Sequence, residues 1–266
     1  MSTQLSVIRL SKCFEKGSVN EKKALDGFSL EVSRGEFVTI LGSNGAGKST
    51  LFNAILGKFL PDSGMIILDG EDITYLKDYR RAANIGCLFQ NPLRGTAPNM
   101  TIEENLALAF TRSSSRSFFA VNRKDSAYFR ELLSTLDLGL ENRMKTKMGL
   151  LSGGQRQAAS LLMATVAKPK LLLLDEHTAA LDPATSKKVL EITGQIIAQD
   201  HLTALMITHD MNQALAFGSR TIMMDSGRTV LDISGPERAG MTPRHLIDLF
   251  SDKAGFVLSD RTVLST

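Results

Sequence analysis

Three features of the sequence predict an α/β fold organised around a parallel sheet. Apolar runs at 37–41 and 171–174 are continuous rather than alternating, as in strands covered on both faces. A glycine-rich loop at 42–47 joins the first run to a segment in which Leu51, Ala54, Ile55 and Phe59 fall at helical spacing. Strand and helix patterns alternate again from residue 171 onward. With 266 residues, 43% of them hydrophobic, the chain supplies one sizeable core and a subdomain, not two full domains plus a membrane region.

Residues 5–40 read as short β-like runs broken by turns. The helix after the glycine-rich loop gives way to a turn at Pro61-Asp62-Ser63-Gly64, and 65–68 and 85–89 read as further strands. From 91 to 168 β-branched runs vanish and helical patterns take over, notably at 102–110 and 128–138. The polar stretch 111–125, with Ser113-Ser114-Ser115 and the basic residues Arg112, Arg116, Arg123 and Lys124, reads as an exposed, solvated connection, with a contact to a partner or to lipid headgroups as the alternative. Past the 171–174 strand come a helix at 183–199 and a strand at 204–208. Two runs, 222–225 and 229–231, flank the hairpin signal Ser226-Gly227. Thr242-Pro243 opens a short last helix, with Thr as N-cap and Pro in the first turn. Residues 252–266 read as a loosely held tail.

Composition narrows the function classes. A formal charge of +3 is a mild excess, and with no Trp and 3 Tyr base-stacking platforms are scarce, so no nucleic-acid partner is expected. Cys13 and Cys87 form no metal or CxxC spacing and read as reduced core thiols. No leader peptide and no apolar run of about 18–20 residues is visible, so a cytosolic protein is expected, with any membrane role coming through a partner.

The chemistry lies in three short motifs. Gly42-Ser43-Asn44-Gly45-Ala46-Gly47-Lys48-Ser49 fits the GxxxxGK[ST] phosphate loop and is followed by Thr50. Its glycines let backbone N–H groups wrap phosphate oxygens, and the next helix aims its positive end at the same place. Lys48 neutralises β- and γ-phosphates, and the Ser49 hydroxyl suits Mg²⁺. At 171–176, four leucines lead into Asp175 and Glu176. Asp175 stands at a strand's C-terminal end, where open α/β sheets bind ligands, and is a metal holder; Glu176 is placed to polarise an attacking water. A strand ending in solvated acids is common by itself, but beside a phosphate loop the pair reads as catalytic.

The third motif is Leu151-Ser152-Gly153-Gly154-Gln155, whose chance rate is on the order of one in a few thousand. Ser152 and the amides of Gly153 and Gly154 open a helix and form a second anion site. One nucleotide does not need both, so this site is expected to cap ATP held by another subunit.

These motifs, in this order, resemble the nucleotide-binding subunit of ABC transporters across about residues 5–250. The resemblance implies a P-loop NTPase, RecA-like core (about 1–90 and 169–251) with an N-terminal antiparallel β subdomain. It also implies an inserted α-helical subdomain (about 91–168), with 252–266 as a tail. It assigns Gln90 to the loop that senses Mg²⁺ and water and faces the membrane subunit. His209 becomes the switch that contacts the γ-phosphate, Ala180-Leu181-Asp182 the D-loop at the dimer interface, and Phe14 the adenine-stacking residue. Gln155 completes the signature, and Ser49, Gln90 and Asp175 are the implied Mg²⁺ ligands. Two residues depart from the family pattern. His177 follows the catalytic Glu where Pro is frequent, and reads as loop packing rather than a second base. Ala180 stands where a D-loop Ser would donate a hydrogen bond.

The resemblance further implies ATP-driven head-to-tail closure of two copies and a separate permease. It also implies an extracytoplasmic binding protein and a bacterial importer-like transporter, whose group is associated with tryptophan or tyrosine uptake. The family alternative is a soluble ABC ATPase of DNA repair or translation. Those proteins carry long coiled-coil insertions or tandem cassettes, and neither is visible here. A GTPase reading lacks a guanine-reading NKxD motif, and a non-catalytic relative would have lost Lys48 or Glu176.

Overall fold

The computed structural model describes residues 2–113 and 123–254. In chain order its elements begin β1 (Thr3–Phe14), β2 (Lys22–Ser33), β3 (Phe37–Gly42), α1 (Lys48–Leu56), β4 (Ser63–Leu68), β5 (Glu71–Asp72), α2 (Asp78–Arg81) and β6 (Ile85–Leu88). Then come α3 (Ile102–Phe110), α4 (Arg123–Ser134), α5 (Gly153–Thr165), β7 (Leu171–Asp175) and α6 (Pro183–Gln199). The chain continues with β8 (Ala204–Ile207), α7 (Met211–Ala216), β9 (Arg220–Asp225), β10 (Arg228–Ser234), α8 (Gly235–Ala239) and α9 (Pro243–Ala254). They fall into two units, Met1–Arg81 with Leu202–Thr266, and Ala82–His201.

In the first unit β2, β1, β4 and β5 form an antiparallel sheet in that order. β1 and β2 are twelve residues each, longer than the short runs the sequence suggests, because alternate residues (Leu5 and Val7; Phe28, Leu30 and Val32) find a buried face. Beside them β3 runs parallel to β8 on one edge and β9 on the other, and β10 folds back antiparallel on β9. Ser226 and Gly227 both take positive φ (47° and 76°) between β9 and β10, as a tight hairpin requires.

Some boundaries differ from the pattern in the sequence. α1 stops at Leu56 because Gly57 adopts φ 76° and its N–H turns back to the Ala54 carbonyl. Phe59, although at helical spacing, leaves the helix and meets Phe14 edge-on at 5.3 Å. α9 is twelve residues rather than short. Leu246 and Phe250, four apart, share a buried stripe against Leu41, Met223, Leu231 and Ile233.

The second unit pairs β6 and β7 in parallel, Ile85 opposite Leu171 through Leu88 opposite Leu174. Three helices start on side-chain caps. Thr101 and Glu104 form a capping box on α3, Ser152 and Gln155 one on α5, and Asp182 caps α6 ahead of Pro183. α4 covers Arg123–Ser134 rather than 128–138, and turn hydrogen bonds from Thr135 and Leu136 close it. The solvated connection expected at 111–125 is therefore helical at both described ends, with Thr111–Ser113 a 3₁₀ turn. Arg112 bends back onto the Met163 carbonyl at 2.8 Å. Residues 114–122, and the tail beyond 254, lie outside the described residues. Cys13 and Cys87, on β1 and β6, are only partly buried rather than core. No described helix is long and apolar enough to cross a membrane.

Candidate functional site

The glycine-rich loop leaves β3 at Gly42 and re-enters helix at Lys48. Gly42 (φ 151°), Gly45 (88°) and Gly47 (101°) hold backbone shapes that L side chains rarely adopt. A Cβ on Gly42 would overlap the Met224 carbonyl, and one on Gly47 the Ala24 carbonyl. The loop is also held from outside. Gly227 N–H of the β9–β10 turn donates to the Ala46 carbonyl at 3.0 Å, and the Ser43 hydroxyl reaches Asp225 Oδ1 at 3.4 Å. Lys48 Nζ donates to the Gly42 and Ser43 carbonyls at 2.7 and 3.1 Å, so the ammonium lies inside the loop's own curve. Asn44, Gly45 and Ser49 are exposed, with the Ser49 hydroxyl on the first turn of α1; Thr50 follows, half-buried. The positive end of α1 and Lys48 together make this an anion cradle.

Phe14 ends β1 and is 38% exposed, with Phe59 packed against it edge-on and Lys12 Nζ over its ring at 5.5 Å. Its cross-strand partner is Lys22, whose Nζ would stand 3.4 Å from a Cβ on Gly45. The structure thus brings a second ammonium to the loop. Sequence reasoning missed it, because Lys22 and Gly45 are twenty-three positions apart and belong to different sheets, β2 in one and the loop after β3 in the other, so only tertiary packing brings them together. His209 follows β8, half-buried, between Thr208, whose hydroxyl accepts from Asp210 N–H at 3.1 Å, and Asp210, which caps α7 through Asn212 N–H at 2.8 Å. The histidine is thereby fixed between a strand end and a helix start.

In the second unit Asp175 closes β7 and Glu176 takes the next position with φ 43°, in the left-handed region. A non-glycine residue there is strained by about 1–2 kcal/mol, a feature that clusters at working sites. Gln90 Nε2 donates to Glu176 Oε2 at 3.4 Å, so two expected site residues 86 apart in sequence meet. His177 turns the other way. It is 3% exposed, and its Nε2 lies 3.3 Å from the Thr193 hydroxyl. That hydroxyl spends its proton on the Val189 carbonyl at 2.8 Å, so the imidazole nitrogen is the donor. Burial lowers the His177 pKa to about 4, which keeps it neutral and inert as a base near neutral pH.

The pentapeptide 151–155 sits at the start of α5. Ser152 Oγ accepts Gln155 N–H at 3.3 Å while Gln155 Oε1 accepts Ser152 N–H at 3.4 Å. Ser152 and Gly153 are exposed; Gly154 is buried under Thr185 of α6, where any Cβ would overlap the threonine methyl. The D-loop residues Ala180, Leu181 and Asp182 lead into the same helix, and a Cβ on Gly153 would lie 3.3 Å from Leu181 Cδ2. Hydrogen bonds from Thr185 hold the Asp182 carboxyl below its ordinary range, so it stays ionised as a helix cap.

Comparisons with known proteins place this geometry. The family model described as ABC transporter matches residues 25–179. A tyrosine transport ATP-binding protein of Clostridioides difficile is 41% identical over 246 residues, 92% of this chain and 98% of its own. The methionine import ATP-binding protein MetN of Rhizobium johnstonii is 39% identical over 210 residues, 78% of this chain and 56% of its own. Among solved structures, the dimeric post-hydrolysis state of the ATP-binding cassette MJ0796 bound to ADP and Pi superposes with a TM-score of 0.75. It is 28% identical, over 86% of this chain and 98% of that one. The ADP conformation of MJ1267, an ATP-binding cassette of an ABC transporter, gives a TM-score of 0.76 at 25% identity over 94% and 99%. The α/β fold, the phosphate loop and the pentapeptide-capped helix are accounted for together: the chain belongs to the ABC transporter family, as an ATP-binding cassette that hydrolyses ATP.

Proposed function

We propose that this cassette powers a bacterial importer of an amino acid, tyrosine or a close aromatic relative. The observation that carries the reading is the 41% identity to a tyrosine transport ATP-binding protein, spanning nearly all of both chains. The methionine import relative supports amino-acid cargo more broadly.

In this reading the loop amides of 42–47, Lys48, Ser49 and Thr50 hold the triphosphate and Phe14 stacks on adenine. The donors Ser49 hydroxyl, Gln90 amide oxygen and Asp175 carboxylate are hard oxygens of the kind Mg²⁺ takes, and the ion would supply charge neutralisation on the phosphates. Glu176 orients water and accepts its proton, and His209 steadies the γ-phosphate. Ser152, Gly153, Gly154 and Gln155 cap nucleotide held by a second copy, closed head-to-tail; the dimeric MJ0796 structures support such pairing. The 91–168 stretch acts as the helical subdomain facing a transmembrane permease, which keeps the cassette on the inner face of the membrane. An extracytoplasmic binding protein delivers the solute.

Affinity purification of the tagged chain from detergent-solubilised membranes, with mass spectrometry of what accompanies it, tests this. A polytopic membrane protein is expected, together with a binding protein that titrates with tyrosine or tryptophan by calorimetry. Recovery of only soluble or nucleic-acid-associated partners overturns the importer reading.

A further inference from the structure

We propose that Gln157 is a positioning residue for hydrolysis, tying the signature helix to the Gln90–Glu176 pair. The proposal rests on the roles given to Gln90 and Glu176 above. Gln157 lies on the first turns of α5 and is fully buried. Its Nε2 donates to the Phe89 carbonyl at 3.3 Å. Phe89 immediately precedes Gln90, whose own amide reaches Glu176 at 3.4 Å. One side chain on the signature helix therefore fixes the peptide from which the Gln90 loop departs.

A second feature separates this from ordinary packing. Gln157 Oε1 is buried with no hydrogen-bond partner among the described residues. A polar atom left so is destabilising, and a methionine of the same length would fill the space without that penalty. What the amide supplies and methionine does not is the bond to Phe89. α5 already lies tight on β6, since a Cβ on Gly86 would overlap the Ala164 carbonyl. Packing thus sets the distance between helix and strand, and Gln157 sets the orientation of the loop at the strand's end. Engagement of phosphate at Ser152–Gly154, by moving α5, is then felt at Gln90 and through it at Glu176.

The experiment is steady-state Mg·ATP hydrolysis by the purified full chain carrying Gln157→Met or Gln157→Leu, alone and combined with Gln90→Ala, beside thermal unfolding of each. With either substitution kcat is expected to fall about tenfold, or about 1.4 kcal/mol in barrier. KM for ATP is expected to change less than about twofold, and the unfolding midpoint to hold or rise. In the Gln90→Ala background the same substitution is expected to add nothing, because its route of action is already cut. Unchanged kcat, a midpoint that drops in both variants, or full additivity with Gln90→Ala overturns the proposal. Glu176→Gln serves as control. Wild-type turnover there removes the underlying reading, whereas a dead Glu176→Gln with a normal Gln157→Met removes only the role of Gln157.

Discussion

The methyl of Thr185 occupies the space that any side chain at Gly154 would need. Beside the anion contact proposed for its amide, Gly154 is thus required for the fit of α5 against the start of α6. Gly154→Ala is expected to destabilise the protein by about 1–3 kcal/mol through overpacking. Thr185→Ser, which removes the obstructing methyl and keeps a hydroxyl, is expected to recover most of that loss. Chemical denaturation of the two single variants and the double variant checks this; an additive double variant contradicts it.

Glu176 carries the chemistry in the proposed mechanism. Glu176→Gln keeps size and hydrogen bonding but removes the proton acceptor. Hydrolysis is expected to fall on the order of 10²–10⁴-fold with ATP binding retained. The variant is expected to accumulate as an ATP-bound dimer, visible by size-exclusion chromatography with light scattering. Turnover near wild type contradicts the assignment.

His177 makes stability depend on pH. Its folded-state pKa, about 4, lies below the ordinary 6.5 because burial disfavours the charged ring. The unfolded chain therefore binds a proton more readily than the folded one. The stability involved is complete above about pH 6.5, is lost as pH falls toward 4, and amounts to up to about 3 kcal/mol. Urea midpoints between pH 8 and pH 4.5 are expected to fall more steeply for the wild type than for His177→Gln. Parallel pH profiles contradict it.

Arg81 is a stability device for the element that carries the phosphate loop. Fully buried, it donates to the carbonyls of Ala54 and Ile55 near the C-terminal end of α1, and to those of Thr74 and Leu76, all at 2.7–2.9 Å. Lysine keeps the charge but has no planar fork to serve four carbonyls. Arg81→Lys is expected to destabilise by at least about 2 kcal/mol, read by thermal or urea unfolding. A loss below about 0.5 kcal/mol contradicts the role.

Much of the fold was legible where periodicity and punctuation agreed. α6 begins and ends at the 183–199 bounds read from the sequence, and α3 fills its expected span, 102–110. α1 was overextended because Phe59 obeys helical spacing, yet Gly57 ends the helix and Phe14 gives the ring another partner. For the site, the loop's conformation and the cap on α5 follow from residues within a few positions of one another. The contacts of Lys22 with the loop, of Thr185 with Gly154 and of Gln157 with Phe89 were not legible. Each depends on how elements distant in sequence pack, and no local pattern records that.

The clasp of Gly227 on Ala46 bears on how the protein is made. A ribosome emits the whole phosphate-binding motif in the first fifty residues, yet the turn at Ser226-Gly227 that braces it arrives about 180 residues later. At elongation rates of about 5–20 residues per second, the nascent loop waits on the order of ten seconds or more for its brace. A polypeptide released early, with its phosphate motif intact, therefore leaves the ribosome with the cradle unfinished.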